Sequence, residues 1–97
     1  MDEEIDWTFA EEHMWSSHMI VAPWVIEAAQ DPRRLVVNPD PASHSGTSLR
    51  VLGFSPSAGR VLAVVLVRHE GQLFAASAWL ANTTQTRRYW KESSTHE

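Results

Sequence analysis

The sequence predicts a single α+β domain in which two helices precede a four-stranded antiparallel sheet and a short helix ends the chain. The length of 97 residues suits one domain with one modest core. The first third carries apolar residues at helical spacing, whereas residues 35–80 hold short β-rich runs separated by turn formers. Short connections between successive strands favour antiparallel neighbours. We expect residues 1–6 and 93–97 to fray.

Two helices are predicted before the first strand. Thr8 and Glu11 have the spacing of a capping box, which predicts a helix from about Phe9 to His18. Pro23 suits the first position of a second helix, because a proline there loses no hydrogen bond. Asp31-Pro32 should end that helix.

Four strands and a final helix are predicted from the rest of the chain. The strands are Leu35–Val37, Leu49–Phe54, Val61–Val67 and Gln72–Leu80, joined by turn-forming segments at 38–46, 56–59 and 69–71. Val61–Val67 is apolar on both faces, as expected of a central strand that is covered above and below. Asn82-Thr83-Thr84 should cap the last helix. We expect the helices to pack on one face of the sheet and the opposite face to be open for binding.

Charge is divided between the two parts of the sequence. The first 32 residues hold eight acidic residues and no Lys or Arg, whereas the chain from Arg33 onward holds eight basic and four acidic residues. Seven of the eight bases are Arg, whose planar fork suits phosphate or carboxylate. This asymmetry indicates a polyanion or an acidic protein as partner, although the same charges could simply solvate the surface.

Composition argues against several classes of protein. The sequence has no Cys, so neither disulfides nor thiolate metal sites are available. Its longest apolar run, Val61–Val67, is far shorter than the ~20 residues of a membrane helix. The acidic N-terminus is unlike a signal peptide. We therefore expect a cytoplasmic protein without membrane contact.

The familiar enzyme motifs are missing from the sequence. It has no Gly-rich phosphate loop, no GxSxG and no HExxH pair. His13 and His18 are five residues apart, which does not place them on one helix face to bind a metal. We expect neither a metal nor a cofactor. The remaining Arg, His and Tyr side chains suit metal-independent RNA cleavage, which needs a base, a cation for the phosphorane and an acid.

A series of short segments, in order along nearly the whole chain, resembles the BrnT family, the toxins of bacterial type II toxin–antitoxin pairs. The matching segments are Ile5-Asp6-Trp7, His18, Asp31-Pro32, His44-Ser45, Leu52-Gly53-Phe54-Ser55, Gly59 to Val65, Ala76-Ser77-Ala78 and Arg87-Arg88-Tyr89. The resemblance implies a RelE-like fold, a ribonuclease that inhibits translation, and a ribbon-helix-helix antitoxin as the partner that neutralises it.

The chain departs from the family pattern at positions that bear on catalysis. Trp79 stands where the family has an Arg on the last strand, and Gln85-Thr86 stand where it has Glu-Arg. A Trp cannot replace the charge of an Arg, but its ring can stack on an RNA base. Two hypotheses therefore stay open. The first is a BrnT-like endoribonuclease, and the second is a BrnT-fold module with reduced catalysis that binds RNA or a ribbon-helix-helix regulator.

The resemblance and the residue types together nominate nine site residues. The catalytic candidates are His18, His44, Arg50 and Arg68, and the RNA-binding candidates are Arg60, Trp79, Arg87, Arg88 and Tyr89. The two catalytic Arg residues would hold the phosphate, and one of the His residues would move protons. Structural roles compete with these, since Arg50 could pair with the acidic first third, and a helix dipole could account for Arg87 and Arg88. The nuclease hypothesis requires the Arg side chains to converge on the open face of the sheet.

Overall fold

The computed structural model describes residues 5–6, 20–37 and 48–93. The elements in these ranges are β1 (Ile5–Asp6), α1 (Ala22–Ala29), β2 (Leu35–Val37), β3 (Ser48–Ser55), β4 (Arg60–His69), β5 (Gln72–Leu80) and α2 (Thr83–Ser93). The predicted α+β class is thereby confirmed. The predicted helix from Phe9 to His18 lies outside the described residues. Within the described ranges, one helix precedes the antiparallel strands and one follows them, so the arrangement of two N-terminal helices stays a prediction.

The strands β2 to β5 form an antiparallel meander. Their spatial order is β5-β4-β3-β2, and each neighbouring pair is antiparallel, which confirms the predicted four-stranded sheet. At the β5 edge, β1 adds a two-residue strand in which Ile5 and Asp6 lie parallel to Leu73 and Phe74. The sequence predicted that residues 1–6 would fray and gave no sign of this strand. A strand of two residues pairs through its backbone and carries no side-chain pattern.

The helices pack on opposite faces of the sheet, so the prediction that they share one face was wrong. Val61, Leu62, Ala63 and Val64 of β4 are all buried, and neighbouring residues of a strand point to opposite faces. Leu62 and Val64 belong to the core cluster that includes α1, whereas Val61 and Ala63 cluster with Tyr89 of α2. A central strand that is apolar on both faces needs a cover on both, and the two helices supply one each.

Close contact between α1 and β3 depends on Gly53. A Cβ atom built at Gly53 would lie 1.8 Å from the carbonyl oxygen of Ala28 in α1. Real Cβ atoms do not approach backbone this closely, so only glycine fits. Pro23 is the second residue of α1, one position after the predicted first, and Val25 and Ala28 form the buried stripe of the helix. The helix thus lies almost directly on the sheet.

Two tight turns set the ends of β4. The β4–β5 turn consists of Glu70 and Gly71, which both have positive φ angles, of 51° and 79°. A two-residue loop with positive φ at both positions matches the twist of a hairpin. At the other end, the N–H of Gly59 donates to the carbonyl oxygen of Ser55 at 2.8 Å. This second turn places Arg60 at the start of β4.

Candidate anion-binding site

Two arginines face one open pocket beside the start of α2. Arg60 is the first residue of β4, and Arg87 lies in the second turn of α2. With Ala81, Thr83 and Thr86 they line a pocket of about 340 Å³, which we call the arginine pocket. This volume falls at the lower end of the range for small-ligand sites. Both Arg residues are exposed, so a ligand can reach them from solvent.

The junction between β5 and α2 fixes the pocket against β4. The N–H of Ala81 donates to the carbonyl oxygen of Val61 at 2.9 Å. Asn82 caps α2 as predicted, because its Oδ1 accepts the N–H of Gln85 at 2.8 Å. Gln85 in turn accepts the N–H of Asn82 at 3.1 Å, which completes a reciprocal cap. The position of α2 beside the start of β4 follows from these contacts.

Within the described ranges, neither arginine of the arginine pocket has an anionic partner. Neither Arg60 nor Arg87 makes a hydrogen bond or an ion pair with a residue of the described ranges. In contrast, Nε of Arg88 lies 2.7 Å from Oε2 of Glu92, one helical turn away. Two like charges at one concavity repel each other, and an anion bound between them would replace that repulsion with attraction. The exposed hydroxyl of Thr83 adds a neutral donor.

Arg50 and Trp79 also meet, on the face of the sheet that carries α2. The guanidinium carbon of Arg50 lies 5.3 Å from the ring centroid of Trp79, which is a cation–π distance. The indole N–H of Trp79 donates weakly, at 3.4 Å, to Oε1 of Gln85. Both residues are half-buried. Trp79 therefore links β5 to Arg50 and to the cap of α2, a structural role that the sequence did not predict.

Arg68 lies far from the arginine pocket and faces away from Arg50. Arg60 and Arg68 stand near the two ends of β4, as predicted, and eight residues of strand span about 26 Å. Arg50 pairs with Val65 and therefore shares its face. Arg68 follows Val65 by three residues, which puts it on the opposite face. The Arg50 and Arg68 pair that was predicted to hold one phosphate therefore does not converge.

Tyr89, predicted to contact RNA, is a core residue. It is 2% exposed, and its hydroxyl donates to the carboxylate of Asp31. Burial, together with the hydrogen bond and the charge of Asp31, raises the pKa of Tyr89 above its usual range. Neither its ring nor its hydroxyl is presented to solvent. Arg88, the neighbouring candidate, is exposed but paired with Glu92.

His18 and His44, the predicted proton-transfer residues, lie outside the described residues. In the three described ranges, no group of three or more His, Asp or Glu side chains is placed to hold a metal ion. No helix in those ranges is long and apolar enough to cross a membrane.

Thr83, Thr86 and Trp90 were not predicted from the sequence as neighbours of the contact residue Arg87. The four side chains recur at i, i+3, i+4 and i+7 along α2, so they form one stripe on the helix. This spacing is visible in the sequence once the helix is assigned. What the sequence does not show is that Arg60, from a distant strand, lines the same pocket as Thr83, Thr86 and Arg87.

Comparisons with protein-family models, with curated proteins and with solved structures find no match to this chain. The BrnT resemblance and the RelE-like fold detail therefore stay predictions.

Proposed function

We propose that this chain binds RNA, with a backbone phosphate held between Arg60 and Arg87 in the arginine pocket. The observation that carries the proposal is that these two arginines line one open pocket and have no anionic partner in the described ranges. Each guanidinium offers forked donors that suit phosphate oxygens. The pocket supports the phosphate contact, and the resemblance to the BrnT family supplies the choice of RNA as the polymer.

Affinity should depend strongly on these two side chains. The chain has a formal net charge of −4, so the molecule as a whole does not attract a polyanion. Binding then requires a local excess of positive charge, and the arginine pocket provides one. Hydrogen bonds to charged groups contribute about 1.5–3 kcal/mol each, so removing both arginines should weaken binding at least tenfold.

The test is fluorescence anisotropy with a labelled single-stranded RNA at low salt. We expect the double variant Arg60→Ala/Arg87→Ala to lose at least tenfold in affinity while keeping the fold, because both side chains are exposed. Arg88→Ala is the matched control, since it removes the same charge from the next residue of α2 and leaves the pocket intact. We expect it to bind within twofold of the wild type. Equal losses in the two variants would contradict the proposal, as would a wild type that does not bind.

Endoribonuclease activity with a ribbon-helix-helix antitoxin as partner stays a prediction. Its predicted phosphate ligands, Arg50 and Arg68, lie on opposite faces of the sheet, and the arginine pocket uses neither. Expression of the chain without a partner, with growth and RNA integrity followed over time, tests this activity directly. Normal growth with intact RNA at good expression would reject it.

A further inference from the structure

We infer that the arginine pocket is one half of a site for single-stranded nucleic acid, in which a base stacks on Trp90 beside the phosphate held by Arg60 and Arg87. The inference rests on the proposed function and adds to it the class of strand that the site accepts. It depends on the exposure of Trp90, on its place next to Arg87 along α2, and on the base stacking that single strands allow and duplexes do not.

Trp90 is a large apolar side chain held at the surface. It is 49% exposed. Its ring packs against Phe54 with ring centroids 5.7 Å apart and against Tyr89 edge-to-face at 4.9 Å. Single exposed apolar residues are ordinary, and exposure alone would mean little. Here two other rings fix the indole and leave about half of its surface open, so the exposed part is already oriented for contact.

Helix α2 places Trp90 beside the arginine pocket. Along α2, Trp90 follows Arg87 by three residues, a spacing that brings Cβ atoms to about 5–6 Å. Arg87 lines the pocket together with Thr83 and Thr86, which lie on the same stripe of the helix as Trp90. The ring of Trp90 therefore lies next to one wall of the arginine pocket.

An exposed ring next to the arginine pocket suits one nucleotide of a single strand. The phosphate and the base of a nucleotide lie on two sides of the sugar, so one can occupy the arginine pocket while the other reaches Trp90. In a duplex the bases stack on each other and expose only their edges, whereas the bases of a single strand can stack on aromatic side chains. Basic grooves with exposed aromatic rings bind single strands in this way.

The first experiment varies the ligand. Anisotropy is measured with labelled probes of one length: single-stranded RNA, the same RNA as a duplex, single-stranded DNA, and a strand with abasic sites in place of bases. We expect the duplex and the abasic strand to bind at least fivefold more weakly than single-stranded RNA. Equal affinity for either would overturn the inference and leave the phosphate contact standing. Single-stranded DNA that binds more tightly than RNA would support stacking and would contradict the choice of RNA.

The second experiment varies the protein. Trp90→Leu keeps an apolar contact with Phe54 but removes the flat ring, so we expect about five- to tenfold weaker binding of single-stranded RNA and no change for the abasic strand. Trp24→Phe is the matched control, because Trp24 belongs to α1 and packs against the core on the other side of the sheet. RNA should quench tryptophan fluorescence in the wild type and in Trp24→Phe, but much less in Trp90→Leu.

The outcomes separate the two proposals. If the wild type binds none of the probes, the proposed function fails. If the wild type binds through Arg60 and Arg87 but Trp90→Leu binds equally well, only the stacking inference fails.

Discussion

Asp31 joins three elements through one carboxylate. Its Oδ2 accepts the backbone N–H of Phe54 at 2.8 Å and the hydroxyl of Tyr89. β2 starts at Leu35, which pairs with Leu52, so Phe54 lies beyond the part of β3 that pairs with β2. Its N–H therefore needs another acceptor. Asp31 supplies that acceptor and ties β3 and α2 to the end of α1.

Removal of the Asp31 carboxylate should therefore cost more stability than removal of the Tyr89 hydroxyl. Asp31→Ala leaves two part-buried donors without an acceptor, at about 1–3 kcal/mol each, besides the exposed N–H of Arg33. Tyr89→Phe removes one donor and leaves the hydrogen bond from the Phe54 N–H to Asp31 intact. We therefore expect a loss of about 1 kcal/mol in the free energy of unfolding. Urea denaturation measures both free energies of unfolding, and Asp31→Asn should fall between them. Equal costs for Asp31→Ala and Tyr89→Phe would contradict this account of Asp31.

Glu27 gives the fold a pH dependence. Its carboxylate accepts the hydroxyls of Ser55 and Ser57, each at 2.7 Å, and the N–H of Ser57 at 3.0 Å. These hydrogen bonds, that of Ser55 first, lower the pKa of Glu27 below its ordinary value. A carboxyl whose pKa is lower in the folded state stabilises the fold above the unfolded pKa, about 4.3, and this contribution is lost as pH falls through the folded pKa.

The variant Glu27→Gln should consequently lose stability at pH 7 and approach the wild type in acid. Urea midpoints at pH 7 and near pH 3 measure this convergence. Glu70→Gln is the control, because Glu70 lies in an exposed turn. A gap between wild type and Glu27→Gln that is the same at both pH values would refute the role of the Glu27 charge.

At the scale of elements, Gly53 sets the distance between α1 and the sheet. Gly53→Ala would push the Ala28 backbone away, so we expect a loss of at least about 2 kcal/mol, as for other overpacked sites. Gly59→Ala is the matched control, because Gly59 has a φ of 67° but nothing within 4 Å of an added Cβ atom. That variant should cost about 1–2 kcal/mol from backbone strain alone. Thermal unfolding that shows Gly53→Ala to be the milder change would contradict the close-contact account.

An element could be predicted from the sequence where local signals mark both of its ends. β5 matches its predicted span of Gln72–Leu80, since the turn at Glu70 and Gly71 precedes it and the cap residue Asn82 follows it. The packing of the helices was not predictable in the same way. The apolar run of β4 indicated a cover on both faces, but no local pattern says which helix covers which face.

At the scale of the whole molecule, the composition of the site was more predictable than its assembly. Arg60 and Arg87 were both nominated from the sequence, yet they meet only because α2 folds back across the start of β4. Arg50 and Arg68 were nominated as partners and lie on opposite faces, because the pairing of β3 with β4 decides which residues share a face. A one-residue change in that register would reverse the result, and the sequence does not specify it.

The salt dependence of RNA binding is the most direct test of a phosphate held between Arg60 and Arg87, because it counts the phosphates that the protein neutralises. For a single strand, each neutralised phosphate adds about 0.7 to the fall of log K with log salt, so the one phosphate in the arginine pocket predicts a slope of about −0.7. Arg60→Ala/Arg87→Ala should bring the slope close to zero, while Arg88→Ala should leave it unchanged. A slope of the double variant equal to that of the wild type, or an equal reduction in Arg88→Ala, would contradict the assignment of the arginine pocket as the phosphate site.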